Sequence, residues 1–107
     1  MVVGIARVTF FLPASHSLKD KRMVLRKVKD RVRARLHVSI AEVDAQDLWQ
    51  RAVLGVAVVG NDSSFVGKEL DEVVRIIRAE AEVTNVEREL QVRQQPLAEN
   101  DLGFRYE

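Results

Sequence analysis

The stretch Val53-Leu54-Gly55-Val56-Ala57-Val58-Val59 runs without a polar side chain and is closed by Gly60-Asn61-Asp62. Its β-branched content and the turn chemistry that ends it predict a buried strand. One other segment matches it: Val2 to Leu12 is nearly all apolar and β-branched or aromatic, and Pro13 stops it. Two strands of this kind belong in the centre of a sheet, so the segments around them must supply its edges and its cover.

Ser17 stands three residues before Asp20, the spacing of a capping box with the shorter acid. The helix that starts there carries Leu18, Leu25, Val28, Val32 and Leu36 as one apolar stripe. Val38 to Val43 alternates in part and predicts a strand with one wetter face. Asp44 to Arg51 makes a polar connection, read as containing one helical turn around Leu48 and Trp49. After Val59, Asp62 or Ser63 caps a second helix through Val66, Leu70, Val73 and Ile77, expected to end near Ala81. Thr84 to Arg93 then sets Val86, Leu90 and Val92 opposite Glu87, Glu89 and Gln91, as an edge strand does.

The order βαββαβ predicts an α+β fold, a ferredoxin-like sandwich with a four-stranded antiparallel sheet and both helices on one face. The first and third strands are central there, matching the two apolar runs. Residues 1–93 are expected to form this domain. Residues 94–107, with Leu97, Leu102, Phe104 and Tyr106, are expected to dock on the sheet or on a partner subunit. With the helices on one face, Val3, Ile5, Phe11, Val53, Ala57 and Val59 point to the other, and self-association as a homodimer is the simplest cover.

The chain has 107 residues and no cysteine, which excludes a disulfide framework, a thiolate metal site and a thiol nucleophile. No apolar run approaches the ~18 residues of a membrane span. Neither a basic start nor a cleavage site marks Met1 to Leu12 as a signal peptide, so a cytoplasmic protein without membrane partners is expected. The net charge of +1 conceals a division. Residues 1–37 hold ten Lys/Arg and two acids, leaving seven basic and fourteen acidic residues for the rest.

That asymmetry concerns partners rather than fold. On the first helix Lys19, Arg22, Arg26, Lys29 and Arg33 flank the apolar stripe on one side, with Lys21, Arg31 and Arg35 on the other. Like-charged rows repel themselves, and a polyanion would relieve them. The expected site is therefore a phosphate-backbone grip of Lys19, Lys21, Arg22, Arg26, Lys29 and Arg33 on RNA or the ribosome. The competing reading is a solvated face paired with Glu69, Asp71, Glu72, Glu80 and Glu82. Trp49 and Arg51 could form a small stacking or partner site, or Trp49 could seal the rim of the core.

Catalytic signals are weak, and no enzyme activity or cofactor is expected. His16 and His37 lack a ligand-spaced companion. Glu42, Asp44 and Asp47 could gather for a divalent cation, with alternation putting Glu42 and Asp44 on one face. The serines lack a His-plus-acid signature, and no Gly-rich phosphate loop occurs.

Three blocks, Ser17-Leu18-Lys19-Asp20-Lys21-Arg22, Val38-Ser39-Ile40-Ala41-Glu42-Val43 and Asp47-Leu48-Trp49-Gln50-Arg51-Ala52, are followed by Leu54-Gly55-Val56-Ala57-Val58-Val59. In this order they resemble the bacterial YlxP-like family, a domain of unknown function, over about residues 1–93. Leu36-His37 departs from the Phe-Asn expected before Val38. The resemblance implies a small ferredoxin-like protein without an assigned activity. Family genes often neighbour those for translation initiation factor two and ribosome-binding factor A, which implies work on the ribosome or its RNA. Carried over by position, Lys19, Lys21, Arg22, Glu42, Asp47, Trp49 and Arg51 are the implied candidates, none with an assigned role.

Overall fold

Val2–Phe11 forms the first strand, β1, in the computed structural model, which describes residues 1–93. It is followed by helix α1 (Leu18–Arg35), strands β2 (Ser39–Asp44) and β3 (Arg51–Gly60), helix α2 (Ser63–Arg78) and strand β4 (Glu82–Val92). The sheet order is β2-β3-β1-β4 with every neighbouring pair antiparallel, so the two apolar strands are central and the fold is the ferredoxin-like βαββαβ sandwich. The expected tail docking concerns residues 94–107, which lie outside the described residues.

Alternation decides what each strand residue does. Val8 and Phe10 of β1 and Ala52, Leu54, Val56 and Val58 of β3 are buried. They pack in one cluster with Leu25, Val28 and Val32 of α1 and Val66, Leu70, Val73 and Ile77 of α2. Gly4 belongs to this face for a steric reason: a Cβ there would stand 2.5 Å from Val66 Cγ1 and 3.0 Å from Leu70 Cδ1. Its absence lets α2 sit down on β1. The opposite face carries exposed Ile5, Phe11 and Val59, as the odd-numbered pattern predicts. Val53 differs: it is buried on that face, between its ladder partners Thr9 and Asp44.

Two bulges break the alternation that the sequence implied. In β4, Thr9 pairs with Asn85 and Phe10 with Val83, leaving Thr84 extra. Its hydroxyl donates to Thr9 O at 3.3 Å. The strand therefore begins at Glu82, and Val83 and Val86, of opposite parity, both pack on the core. In β2, Glu42 pairs with Leu54 and Asp44 with Val53, leaving Val43 extra. Val43 leans over Gly55, where a Cβ would lie 2.7 Å from its Cγ1. The expected helical turn around Leu48 and Trp49 is instead a tight turn closed by Leu48 N–H donating to Ala45 O at 3.1 Å, entered through Ala45 at φ 56°. Helix α2 ends at Arg78 rather than near Ala81. Among the described residues no helix is long and apolar enough to cross a membrane.

Filling the space at Gly4 tests the close approach of α2: Gly4→Ala is expected to destabilise the protein by about 1–3 kcal/mol, read from the midpoint of urea unfolding at unchanged slope.

Candidate nucleic-acid interface

Helix α1 starts where the capping chemistry places it. Ser17 Oγ accepts from Asp20 N–H at 3.0 Å, and Asp20 Oδ2 accepts from His16 N–H at 3.0 Å. Downstream, the helix buries Lys21, Leu25, Val28 and Val32. These positions fall at i, i+4, i+7 and i+11, so Lys21 occupies the apolar stripe itself and not a shoulder.

Lys21 is consequently the correction to the expected grip. It is 1% exposed and cannot reach a phosphate. Its Nζ donates to Ala45 O and Leu48 O, each at 2.6 Å, and lies 2.7 Å from Glu42 Oε2. Three acceptors thus surround the ammonium, as a buried lysine requires. Glu42 Oε2 is itself buried and makes no hydrogen bond, so that oxygen depends on the Lys21 charge beside it, while the rest of the side chain stays partly exposed. The bulge at Val43 makes this meeting geometric. Glu42 stays on the helix side, opposite Leu54, while Asp44 turns to the open side, where Arg7 Nη2 binds its Oδ2 at 2.8 Å.

The same geometry removes the expected carboxylate trio. Glu42 and Asp44 lie on opposite faces, against the prediction from strict alternation, and Asp47 is exposed in the turn. Among the described residues no group of three or more His, Cys, Asp or Glu is arranged to hold a metal ion.

The two shoulders of α1 have different fates. The one facing α2 is matched by acids. Arg31 and Lys27 both bind Glu80, Lys27 at 3.3 Å, and Arg35 lies 3.6 Å from Glu72. Arg75 also binds Glu72, with Nε to Oε2 at 2.8 Å. The Arg75 hydrogen bond, aided by the nearby charges of Arg75 and Arg35, holds the Glu72 carboxyl below its ordinary value of 4.5. A depressed carboxylate stabilises the fold above the ordinary range, and the contribution is lost as pH falls through the lower folded value. On this shoulder the paired-face reading holds.

The other shoulder is unmatched. Among the described residues no carboxylate forms an ion pair with Lys19, Arg22, Arg26, Lys29 or Arg33. Arg33 Nη2 donates to Ile40 O at 3.2 Å, which draws this end of the row against β2. Arg22, Arg26, Lys29 and Arg33 line a cleft with Glu42, so the row overlooks the edge strand of the sheet. Its like-charged neighbours at i+3 and i+4 cost together on the order of 1 kcal/mol. Asp30 is the one acid in the cleft besides Glu42.

Trp49 and Arg51 sit at the end of the molecule where α1 begins. Trp49 is 48% exposed, so it leaves about half of its surface open, and it is not among the residues of the core cluster. Arg51 is exposed and lies across the ladder from Phe11. Sequence reasoning missed the Lys21–Glu42 pair, although the spacing of Lys21 with Leu25 and Val28 carried the signal.

Comparison with known proteins adds the following. The profile of a family described as "Protein of unknown function (DUF503)" matches residues 3–89. The "Uncharacterized protein YlxP" of Bacillus subtilis (strain 168) is 35% identical over 82 residues, spanning 77% of this chain and 89% of YlxP. Among solved structures, an antibiotic biosynthesis monooxygenase aligns at TM-score 0.49 and 16% identity, over 89% of this chain and 100% of that one. The de novo designed protein Foldit4 aligns at TM-score 0.48 and 12% identity, over 87% and 98%. Likenesses this distant say nothing of activity.

The buried ammonium gives the sharpest test of the site's framework. Lys21→Met is expected to cost about 1–3 kcal/mol, because it removes the donor to Leu48 O and the counter-charge of the buried Glu42 Oε2. Lys21→Met combined with Glu42→Leu is expected to recover a large part of that loss, both read from urea unfolding.

Proposed function

The chain belongs to the DUF503 family, and from that footing we propose that it is a non-enzymatic, cytoplasmic accessory protein that binds the phosphate backbone of RNA or the ribosome through α1. The observation that carries this reading is the contrast between the two shoulders of one helix. Lys27, Arg31 and Arg35 are matched by Glu80 and Glu72, whereas Lys19, Arg22, Arg26 and Lys29 have no carboxylate partner among the described residues. A protein that needed this helix only as a cover for its sheet gains nothing from the second row.

The row from Lys19 to Arg33 spans about 21 Å at 1.5 Å per residue, enough to follow several phosphates. Compact ammonium and guanidinium groups on one face read charge and backbone shape, not base identity. Each phosphate neutralised steepens the salt dependence of log K by about 0.7 to 0.9.

A homodimer through the open sheet face is a second part of this reading, favoured by the exposed Ile5, Val43 and Val59 there. Four strands about 4.8 Å apart and six to eleven residues long offer roughly 600 Å² a side. That approaches the ~800 Å² per partner of a standard interface.

Binding of a structured RNA at low salt is expected to weaken with a log–log slope of about −3 or steeper. Lys19→Glu with Arg26→Glu should abolish it, and the charge-matched Lys68→Glu with Arg78→Glu on α2 should leave most of it. Salt-independent binding, or equal loss in both variants, overturns the proposal. For the dimer, sedimentation should show a two-chain species that Ile5→Glu converts to monomer; a wild-type monomer at high concentration removes this part alone.

A further inference from the structure

The turn between β2 and β3 is tied down more thoroughly than a connection needs to be. Lys21 Nζ holds Ala45 O and Leu48 O at 2.6 Å, Gln50 O accepts from Leu12 N–H at 2.8 Å, and Gln50 Nε2 donates to Ser15 O at 3.3 Å. Asp44 Oδ1 also accepts from Ala45 N–H at 2.7 Å. Yet what this framework displays is apolar and exposed: Leu48 and Trp49 are each about half exposed. Aromatic surface left open to water costs hydration, but on a turn held in place it binds a partner with little ordering cost.

Its position identifies the partner. Trp49 follows directly on Leu48, whose carbonyl is bonded to Lys21, and Lys21 lies between Lys19 and Arg22, the first members of the unmatched row. The backbone at Trp49 therefore lies at the end of the row where α1 starts. Arg51, exposed two residues on, lies at the same end but opposite Phe11 on the open face of the sheet, so Trp49 and not Arg51 is the group placed to meet a ligand on α1. An aromatic face terminating a line of phosphate-spaced cations is the arrangement that single-stranded nucleic acid uses, with the backbone on the charges and a base on the ring.

We infer that Trp49 is a base-stacking surface at the head of the α1 row, so that the ligand is RNA with an unpaired base there rather than continuous duplex. This rests on the phosphate-binding reading above and narrows it: the cations hold any RNA backbone, and Trp49 selects an unstacked end, loop or single strand.

Trp49 is the sole tryptophan of the chain, so its fluorescence reports the contact directly. The test titrates the full-length protein at low salt with a twelve-nucleotide oligouridylate and, separately, a blunt twelve-base-pair RNA duplex. The single strand should quench Trp49 and the duplex should not. Trp49→Ala should weaken the single strand about ten- to a hundredfold with an unchanged salt slope, leaving duplex affinity as it was. Trp49→Phe should keep most of the single-strand affinity, and it retains an aromatic if Trp49→Ala fails to fold. Single-strand binding without quenching, or Trp49→Ala binding as tightly as wild type, overturns the inference, including where Trp49 serves a protein partner instead. If affinity for both RNAs then still falls in Lys19→Glu with Arg26→Glu, the phosphate reading stands and only the stacking fails. If neither RNA binds the wild type, both fall.

Discussion

A single buried ammonium connects the parts of this molecule that matter. Lys21 leaves the apolar stripe of α1, crosses to the edge of the sheet and meets two backbone carbonyls of the turn and the buried oxygen of Glu42. Desolvating such a charge is unfavourable unless its acceptors are fixed in place. The helix, the edge strand and the turn must therefore adopt their positions together. Placement of the helix determines where its remaining cations point, and placement of the turn determines where Trp49 stands.

Around that anchor the charges of α1 are sorted by neighbour. Cations that look toward α2 meet Glu72 and Glu80, which bind the two helices over the sheet. Cations that look outward across β2 form no ion pair among the described residues. The +1 net charge of the chain thus conceals a partial cancellation along one shoulder and an open surplus along the other, offset by acids elsewhere in the sequence. Surface pairs of this kind contribute little individually to stability. Their value lies in deciding which positive surface is left available.

The architecture was legible because central and edge strands differ so strongly in composition. Val53–Val59 has no polar residue, whereas Glu87 and Glu89 mark β4 as half-solvated. The caps of both helices were likewise written locally, in Ser17 with Asp20 and in Asp62. What escaped were features set by tertiary contact. The bulges at Val43 and Thr84 change parity within a strand, and nothing local in the alternation announces them. Lys21 escaped for a different reason: its charge argued for the surface while its spacing argued for the interior, and spacing prevailed because Glu42 and two carbonyls were waiting. Which shoulder of α1 would be neutralised could not be read at all without knowing which side α2 takes.

The bulge at Val43 makes the number of residues in this part of the chain as consequential as their identity. Regular alternation running from Glu42 through Val43 would carry Asp44 beneath the helices and strip Arg7 of its counter-ion, and it is the one extra residue that returns Asp44 to the open side. The facing of Glu42 toward the buried ammonium and of Asp44 toward Arg7 is therefore set by how the backbone accommodates Val43 and not by the chemistry of its side chain.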